Sequence, residues 1–218
     1  MAGALGSVMV VDARDPGQEK WREIIPEREN AVIRSMALVG GRLFVNYLEN
    51  VVTRLRSFDL EGRELEEIRF DELGTVSNLQ GRWKDAEAFF SFQSFHIPST
   101  IYRYDVSRGE RSTWFRADLP VDPDQYRVEQ LWFESKDGTR VPLFLVGRKG
   151  LEGDGPRPLL LNGYGGFDVS KLPRFSPCHH SVARRRRSLR GGEYSRRRRV
   201  RRAVASCRHA REQAEHLR

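Results

Sequence analysis

The chain has 218 residues, enough for one large domain or two small ones with a sizeable core, and 39% of its residues are hydrophobic. No apolar run approaches the roughly 20 residues that span a bilayer, so we expect no membrane association. The formal net charge of +8 is uneven: residues 178–218 carry 14 Arg and three Glu, a net of +11, which leaves −3 for residues 1–177. Because the net positive charge lies only in the last 41 residues, the average charge of the chain is no evidence for nucleic-acid binding.

The first seven residues contain neither a basic segment nor a long apolar one. A secretory signal needs both, so we expect a cytoplasmic protein.

Short runs of apolar and β-branched residues predict strands through residues 1–125, with turn signals at Gly40-Gly41, Glu61-Gly62 and Arg108-Gly109. The predicted strands are 7–12, 31–39, 42–48, 52–59, 88–95 and 100–105. They recur about every ten residues without helical periods, which indicates a mainly β protein. Because the strands are too many for one sandwich, a partial β-propeller of antiparallel blades fits better, with two blades or so at roughly 40–50 residues each.

The pattern changes after residue 125. In chain order it predicts a strand at 128–135, a turn at 136–139 with Asp-Gly at its centre, a returning strand at 140–146, a polar loop at 150–158, and a strand at 159–162. The last run, Leu-Leu-Leu-Asn, is continuously apolar and predicts a strand buried on both faces. A hairpin followed by a buried strand with a glycine-rich exit is how an α/β-hydrolase sheet commonly begins.

Several segments resemble the prolyl oligopeptidase family of serine peptidases, in the same order and spacing. Those similar to its late propeller blades begin at Tyr47 (YLENVVTRL), Lys84 (KDAEAFFSFQSF) and Pro98 (PSTIYRYD), and those similar to the start of its catalytic domain begin at Ser135 (SKDGTRVPLF) and Asn162 (NGYGGF). The resemblance covers about residues 8–177. It implies a propeller over 1–125 and the beginning of an α/β-hydrolase catalytic domain over 126–177.

The resemblance also implies roles for individual residues. Tyr164 matches the tyrosine whose hydroxyl helps form the oxyanion hole, and such a donor stabilises the developing alkoxide. Phe167 matches an aromatic residue of the pocket for the substrate proline. Gly163, Gly165 and Gly166 would let the backbone turn sharply and approach the substrate. The family cleaves short peptides after proline and needs no cofactor.

The residues that would complete a catalytic triad are not found. No Gly-x-Ser-x-Gly motif occurs in the sequence. Cys178 as a nucleophile, and His179, His180 or His209 as a base, have no orienting partner in the sequence. Metal-ligand spacing of Cys and His is also absent, so no metal site is predicted. We therefore expect a fragment that is inactive by itself.

The arginine-rich segment 178–218 is explained best as an out-of-frame translation. Shifting the reading frame by one base near Pro177 allows residues 193–201 to be read as NTRGGGEYG and residues 202–218 as ARWHRAGMLENKQNTFD. Both resemble the segment that comes after Gly-Tyr-Gly-Gly-Phe in prolyl oligopeptidases. We expect this tail to be unstructured, since it has neither a core pattern nor capping signals.

Two other functions remain open at this point. One is a non-catalytic propeller fragment, whose open sheet edges would favour aggregation. The other is a nucleic-acid-binding protein that uses the arginines at 184–187 and 196–202. Such binding would depend on salt and not on sequence, and Tyr194 is the only aromatic ring of the tail, so no specific nucleic-acid partner is expected.

Overall fold

A computed structural model describes residues 6–150, 160–163 and 170–177, together with the backbone of 204–205. The chain divides into two compact units. The first contains Met1–Phe92 and Ser99–Ala117, and the second contains Gln93–Pro98 and Asp118–Arg218. Among the described residues, no helix has the length and apolar character needed to cross a membrane.

The first unit consists of three sheets. A two-stranded antiparallel sheet pairs β1 with β2, and two four-stranded sheets follow in the orders β3-β4-β5-β6 and β7-β8-β9-β10. Their strands are β1 (Val8–Val10), β2 (Arg22–Ile25), β3 (Ala31–Val39), β4 (Arg42–Glu49), β5 (Val52–Phe58), β6 (Glu64–Ile68), β7 (Thr75–Gly81), β8 (Glu87–Gln93), β9 (Thr100–Asp105) and β10 (Glu110–Arg116). Because neighbours in each four-stranded sheet are consecutive in the chain, both sheets are meanders of the kind predicted for propeller blades.

Six of these strands match the predicted ones, and three of the observed turns lie at the predicted glycines. The predicted strands omitted β2, β6, β7 and β10. Both β6 and β10 are rich in charged residues and lie at the open edges of their sheets, so an apolar pattern does not mark them.

One buried cluster of the first unit joins β1 and β2 to the first meander. Its buried members are Val8, Ile25, Ala31, Leu43, Val45, Tyr47 and Phe58. The turn between β5 and β6 comes so close that a Cβ atom on Gly62 would lie 1.8 Å from the carbonyl oxygen of Ile24. Gly62 also has a φ of +86°, so glycine is required there for two independent reasons.

Hydrogen bonds from the first meander to the start of β7 connect the two meanders. The Thr53 hydroxyl accepts from Val76 N at 2.5 Å and donates to the carbonyl oxygen of Gly74 at 3.3 Å. Asn46 Nδ2 donates to the carbonyl oxygen of Val76 at 3.1 Å. The Phe44 and Tyr104 rings meet edge to face with centroids 5.8 Å apart, so this junction is both polar and apolar.

The second unit begins with β11 (Tyr126–Glu134) and β12 (Arg140–Arg148), which form an antiparallel hairpin without a bulge. Its turn is the predicted one: Ser135 N donates to the carbonyl oxygen of Thr139 at 2.9 Å, and Thr139 N donates to the Asp137 carboxylate at 3.0 Å. This backbone hydrogen bond lowers the pKa of Asp137. The hairpin prediction is therefore confirmed.

The strand expected at 159–162 is short and exposed. It appears as β13 (Leu160–Leu161), which pairs in parallel with β14 (Val204–Ala205). Leu160 is 40% exposed and Leu161 is 69% exposed, so the prediction of burial on both faces is wrong for these two residues. A neighbouring strand covers the edge of a strand and leaves its faces open. Apart from β14, the predicted unstructured tail lies outside the described residues.

Candidate functional site

The predicted site lies at the carboxyl end of β13, and the structure describes its first residue. Gly163 is exposed, its φ lies outside the left-handed region, and a Cβ atom placed on it would meet nothing within 4 Å. Tyr164, Gly165, Gly166 and Phe167 lie outside the described residues, as do the histidines at 179, 180 and 209 and Cys178. The roles assigned to these residues from the family resemblance therefore stay predictions.

The loop Gln93–Pro98 belongs to the same unit as Gly163, and it holds two other parts of that unit. The Gln93 side-chain oxygen accepts a hydrogen bond from Phe175 N at 3.3 Å. The Phe95 ring lies 5.3 Å from the ring of Phe144 on β12. Ser94 N donates to the carbonyl oxygen of Ile97 at 3.0 Å, which closes the loop as a turn. This loop thus fixes the hairpin and the segment 170–177 within one unit.

His96, at the centre of this loop, is 3% exposed. Burial, together with nearby Lys149, lowers the pKa of its imidazole to about 4, and Asp124 opposes the shift only in part. The ring is therefore neutral at neutral pH and can accept a proton there only at a high cost in free energy. The folded loop is therefore more stable with a neutral His96 than with a charged one.

Sequence reasoning assigned no role to Gln93 or His96. The only local signal is that polar residues interrupt the apolar run Phe92-Gln-Ser-Phe-His-Ile between two strands. The contact of Gln93 with Phe175 joins residues 82 positions apart, which no local pattern encodes.

The described residues of the second unit offer few groups suited to catalysis or metal binding. Within the ranges described, no three His, Cys, Asp or Glu side chains are grouped so as to hold a metal ion. His96 is the one histidine among the described residues, and it is enclosed.

A groove of about 1010 Å³ lies in the first unit, beside β3 and the turn between β7 and β8. Its wall combines apolar side chains with charged side chains of both signs. The lining residues are Ala37, Leu38, Leu79, Gln80, Gly81, Arg82, Lys84, Asp85, Ala86, Glu87 and Phe89. Gly163, the described residue of the predicted site, is not among them.

Comparison with known families identifies the first unit. Residues 2–116 match the sequence profile of the N-terminal β-propeller domain of prolyl oligopeptidase. The matched region contains β1 to β10, so the predicted β-propeller fold is confirmed.

Individual relatives extend the similarity beyond the propeller. The prolyl endopeptidase of Elizabethkingia miricola is 29% identical over 163 residues, which is 75% of this chain and 23% of the relative. The dual function macrocyclase-peptidase POPB of Amanita bisporigera is 33% identical over 169 residues, 74% of this chain and 23% of the relative. The chain thus spans about a quarter of the length of the curated relatives it matches.

Solved structures agree with these relatives. A prolyl endopeptidase structure superposes with a TM-score of 0.74 at 38% identity, over 81% of this chain and 26% of that chain. Prolyl oligopeptidase B from Galerina marginata gives a TM-score of 0.68 at 30% identity, over 78% of this chain and 25% of that chain. Since the family profile covers more than half of the sequence and the same family recurs in every comparison, the chain belongs to the prolyl oligopeptidase family, through its N-terminal β-propeller domain.

Proposed function

We propose that this chain is part of a serine-type oligopeptidase that cleaves short peptides after proline. The observation that carries the proposal is the match of residues 2–116 to the propeller of this family. It is supported by the names of the relatives, which are prolyl endopeptidases and oligopeptidases. The segment Asn162-Gly-Tyr-Gly-Gly-Phe agrees with this assignment because it resembles the start of the catalytic domain.

Within this function, Tyr164 is proposed as a donor to the oxyanion and Phe167 as an apolar wall for the substrate proline. A phenol that donates to the developing negative charge lowers the energy of the transition state more than that of the bound peptide. An aromatic ring against a pyrrolidine ring contributes through packing. Gly163 precedes both residues at the end of β13, where its exposed backbone leaves room for a peptide.

The 218-residue chain is proposed to have no peptidase activity by itself. Its sequence holds no Gly-x-Ser-x-Gly motif, and the one histidine among the described residues is buried with a pKa of about 4. A donor to the oxyanion without a nucleophile has no tetrahedral intermediate to stabilise. Activity would then belong to a longer protein that supplies a nucleophile, an acid and a base.

A fluorogenic peptide with proline before the scissile bond tests the proposed lack of peptidase activity. The purified chain is expected to release fluorophore no faster than buffer does. Turnover that is inhibited by a serine-directed reagent would show that the chain is active and overturn the proposal of inactivity.

The change of reading frame near Pro177 accounts for the arginine-rich tail. The nucleotide sequence decides it: the frame shifted by one base is expected to continue as a peptidase. A frame that does not continue in this way contradicts the hypothesis and leaves the family assignment unchanged.

The role of Tyr164 is testable in the protein extended by that frame. Tyr164→Phe is expected to lower kcat by about a hundred- to a thousandfold with a smaller change in KM, because it removes a donor used in the transition state. Tyr102→Phe on β9 is the matched control and is expected to keep kcat, since it removes a hydroxyl from the propeller unit. Equal kcat values for the two variants would contradict the role of Tyr164.

A further inference from the structure

The sequence contains one Asn-Gly dipeptide, Asn162-Gly163, and it lies directly after β13. In such a dipeptide the backbone nitrogen of glycine can attack the side-chain carbonyl of asparagine, since glycine has no Cβ atom to hinder the approach. We propose that Asn162 is a site of spontaneous deamidation in the folded chain, which converts it to aspartate and isoaspartate.

The local structure favours this reaction. Asn162 and Gly163 follow the last residue of β13 and belong to neither a helix nor a strand. Gly163 is exposed, and nothing lies within 4 Å of the position that a Cβ atom would take. The backbone therefore has room to fold against the Asn162 side chain, and water has access to the product.

The other asparagines of the described residues lack this combination. Asn46 is 3% exposed within β4, and its side-chain nitrogen donates to the carbonyl oxygen of Val76. Asn30, Asn50 and Asn78 are exposed, but the residues that follow them, Ala31, Val51 and Leu79, each carry a Cβ atom that hinders attack by their own backbone nitrogen, which glycine lacks. These positions serve as internal comparators in the same molecule.

The reaction balances without any external oxidant or cofactor. The Gly163 nitrogen loses its proton and bonds to Cγ of Asn162, the Cγ–Nδ2 bond breaks, and ammonia leaves. The resulting five-membered imide is opened by water at one of its two carbonyls. Opening at the backbone carbonyl gives isoaspartate, with the main chain running through Cβ and Cγ, and opening at Cγ gives aspartate.

The product changes the chain two residues before Tyr164. It carries a new carboxylate, and the isoaspartate form also lengthens the main chain by one carbon. A negative charge two residues from a donor to a developing oxyanion would oppose that charge. This loss of activity rests on the proposed function, whereas the modification itself does not.

Mass spectrometry of the aged chain tests the proposal. The folded protein is incubated in mildly alkaline buffer and digested with trypsin, and the peptide from Gly150 to Lys171 is followed, because Asn162 is its only asparagine. The expected result is a growing fraction with the NH2 group replaced by OH and resolved into two isomers. A parallel sample in urea reports the rate of the unfolded chain, and the folded rate is expected to approach it.

Two variants identify the mechanism. Gly163→Ala is expected to slow the reaction by at least an order of magnitude, because the added methyl group hinders the nitrogen, and the structure has space for that methyl group. Asn162→Gln is expected to remove the modification from this peptide. Deamidation that occurs only in urea, or at the same rate in Gly163→Ala, or faster at Asn30, Asn50 or Asn78 than at Asn162, would overturn the proposal.

Discussion

His96 connects the stability of the second unit to pH through its buried imidazole. Its pKa is about 4 in the folded chain, against an ordinary value near 6.5, because burial and nearby Lys149 disfavour the charged ring while Asp124 opposes them only in part. Between these two values the unfolded chain binds a proton that the folded chain does not bind. The free energy of unfolding therefore falls as the pH falls through this window and levels off below it.

We predict that His96→Gln flattens this dependence. In the wild-type chain the loss between neutral pH and pH 4 that is due to His96 amounts to about 3 kcal/mol, and the glutamine side chain does not titrate. Urea unfolding at a series of pH values measures the effect, and the difference between the two chains isolates His96 from the other titrating groups. Parallel curves for the two chains would show that His96 has an ordinary pKa when folded.

Arg56 and Arg63 form ion pairs in the first meander that differ in burial. The Arg56 side chain is 14% exposed, and it lies 2.9 Å from Glu49 and within 4.0 Å of Glu64 and Glu67. The Arg63 side chain is 80% exposed, and its Nε lies 3.0 Å from the Asp59 carboxylate. Burial raises the pKa of Glu49, so keeping its carboxylate charged in this cluster costs free energy.

We predict that Arg56→Met destabilises the chain by about 1–3 kcal/mol, because Glu49 loses the cation 2.9 Å away, whereas Glu64 keeps Arg28 and Glu67 keeps Arg54. Arg63→Met is the matched control and is expected to cost clearly less than Arg56→Met, since exposed pairs are screened by water. Urea unfolding at neutral pH gives both values. The difference is expected to shrink in acidic buffer as the carboxylates become protonated, and equal costs at neutral pH would contradict the role assigned to the cluster.

At the scale of elements, the two meanders are joined in part by a side-chain hydroxyl on β5 that bonds to the backbone at the start of β7. Thr53 stands one residue into β5, and its hydroxyl bridges the amide of Val76 and the carbonyl of Gly74. Thr53 is buried, so water cannot take over these bonds. This hydroxyl therefore helps to fix where β7 begins relative to β5, together with the Asn46 side chain and the bond from Thr53 N to the carbonyl oxygen of Gly74.

We predict that Thr53→Val costs about 1–3 kcal/mol, because it leaves the Val76 amide buried without its acceptor. Hydrogen exchange gives the sharper test, since the Val76 amide is expected to lose protection while amides in the middle of β4 keep theirs. Thr53→Ser retains the hydroxyl and is expected to preserve protection at Val76. Loss of protection in both variants would show that the methyl group, and not the hydroxyl, holds this junction.

The strands that could be predicted from sequence are those whose apolar pattern and ends are marked by neighbouring residues in the chain. The predicted bounds 31–39 and 100–105 equal those of β3 and β9, where apolar runs end at glycine turns or polar residues. The edge strands β6 and β10 were missed because their charges face solvent and disrupt the apolar pattern. The contact between Gln93 and Phe175 could not be predicted either, since it depends on how distant segments meet.

At the scale of the whole molecule, the described surface retains an apolar face on the second meander. Cross-strand pairing places Ile101 opposite Phe115, and Trp114 lies at a bulge with its ring 5.5 Å from that of Phe89. Ile101 is 36% exposed, Trp114 62% and Phe115 56%. Large apolar side chains in one exposed patch favour association between molecules.

We predict that Phe115→Lys weakens concentration-dependent self-association of the chain, because it puts a charge at the centre of this patch and beside the open edge of β10. Ser112→Lys is the matched control: it adds the same charge to the same strand, but Ser112 lies opposite Arg103 and outside the apolar group. Sedimentation velocity over a range of protein concentrations measures the effect. The Phe115 variant is expected to remain monomeric at concentrations where the wild type and the Ser112 variant associate. An equal reduction of self-association in both variants would show that the effect comes from the added charge and not from the apolar face.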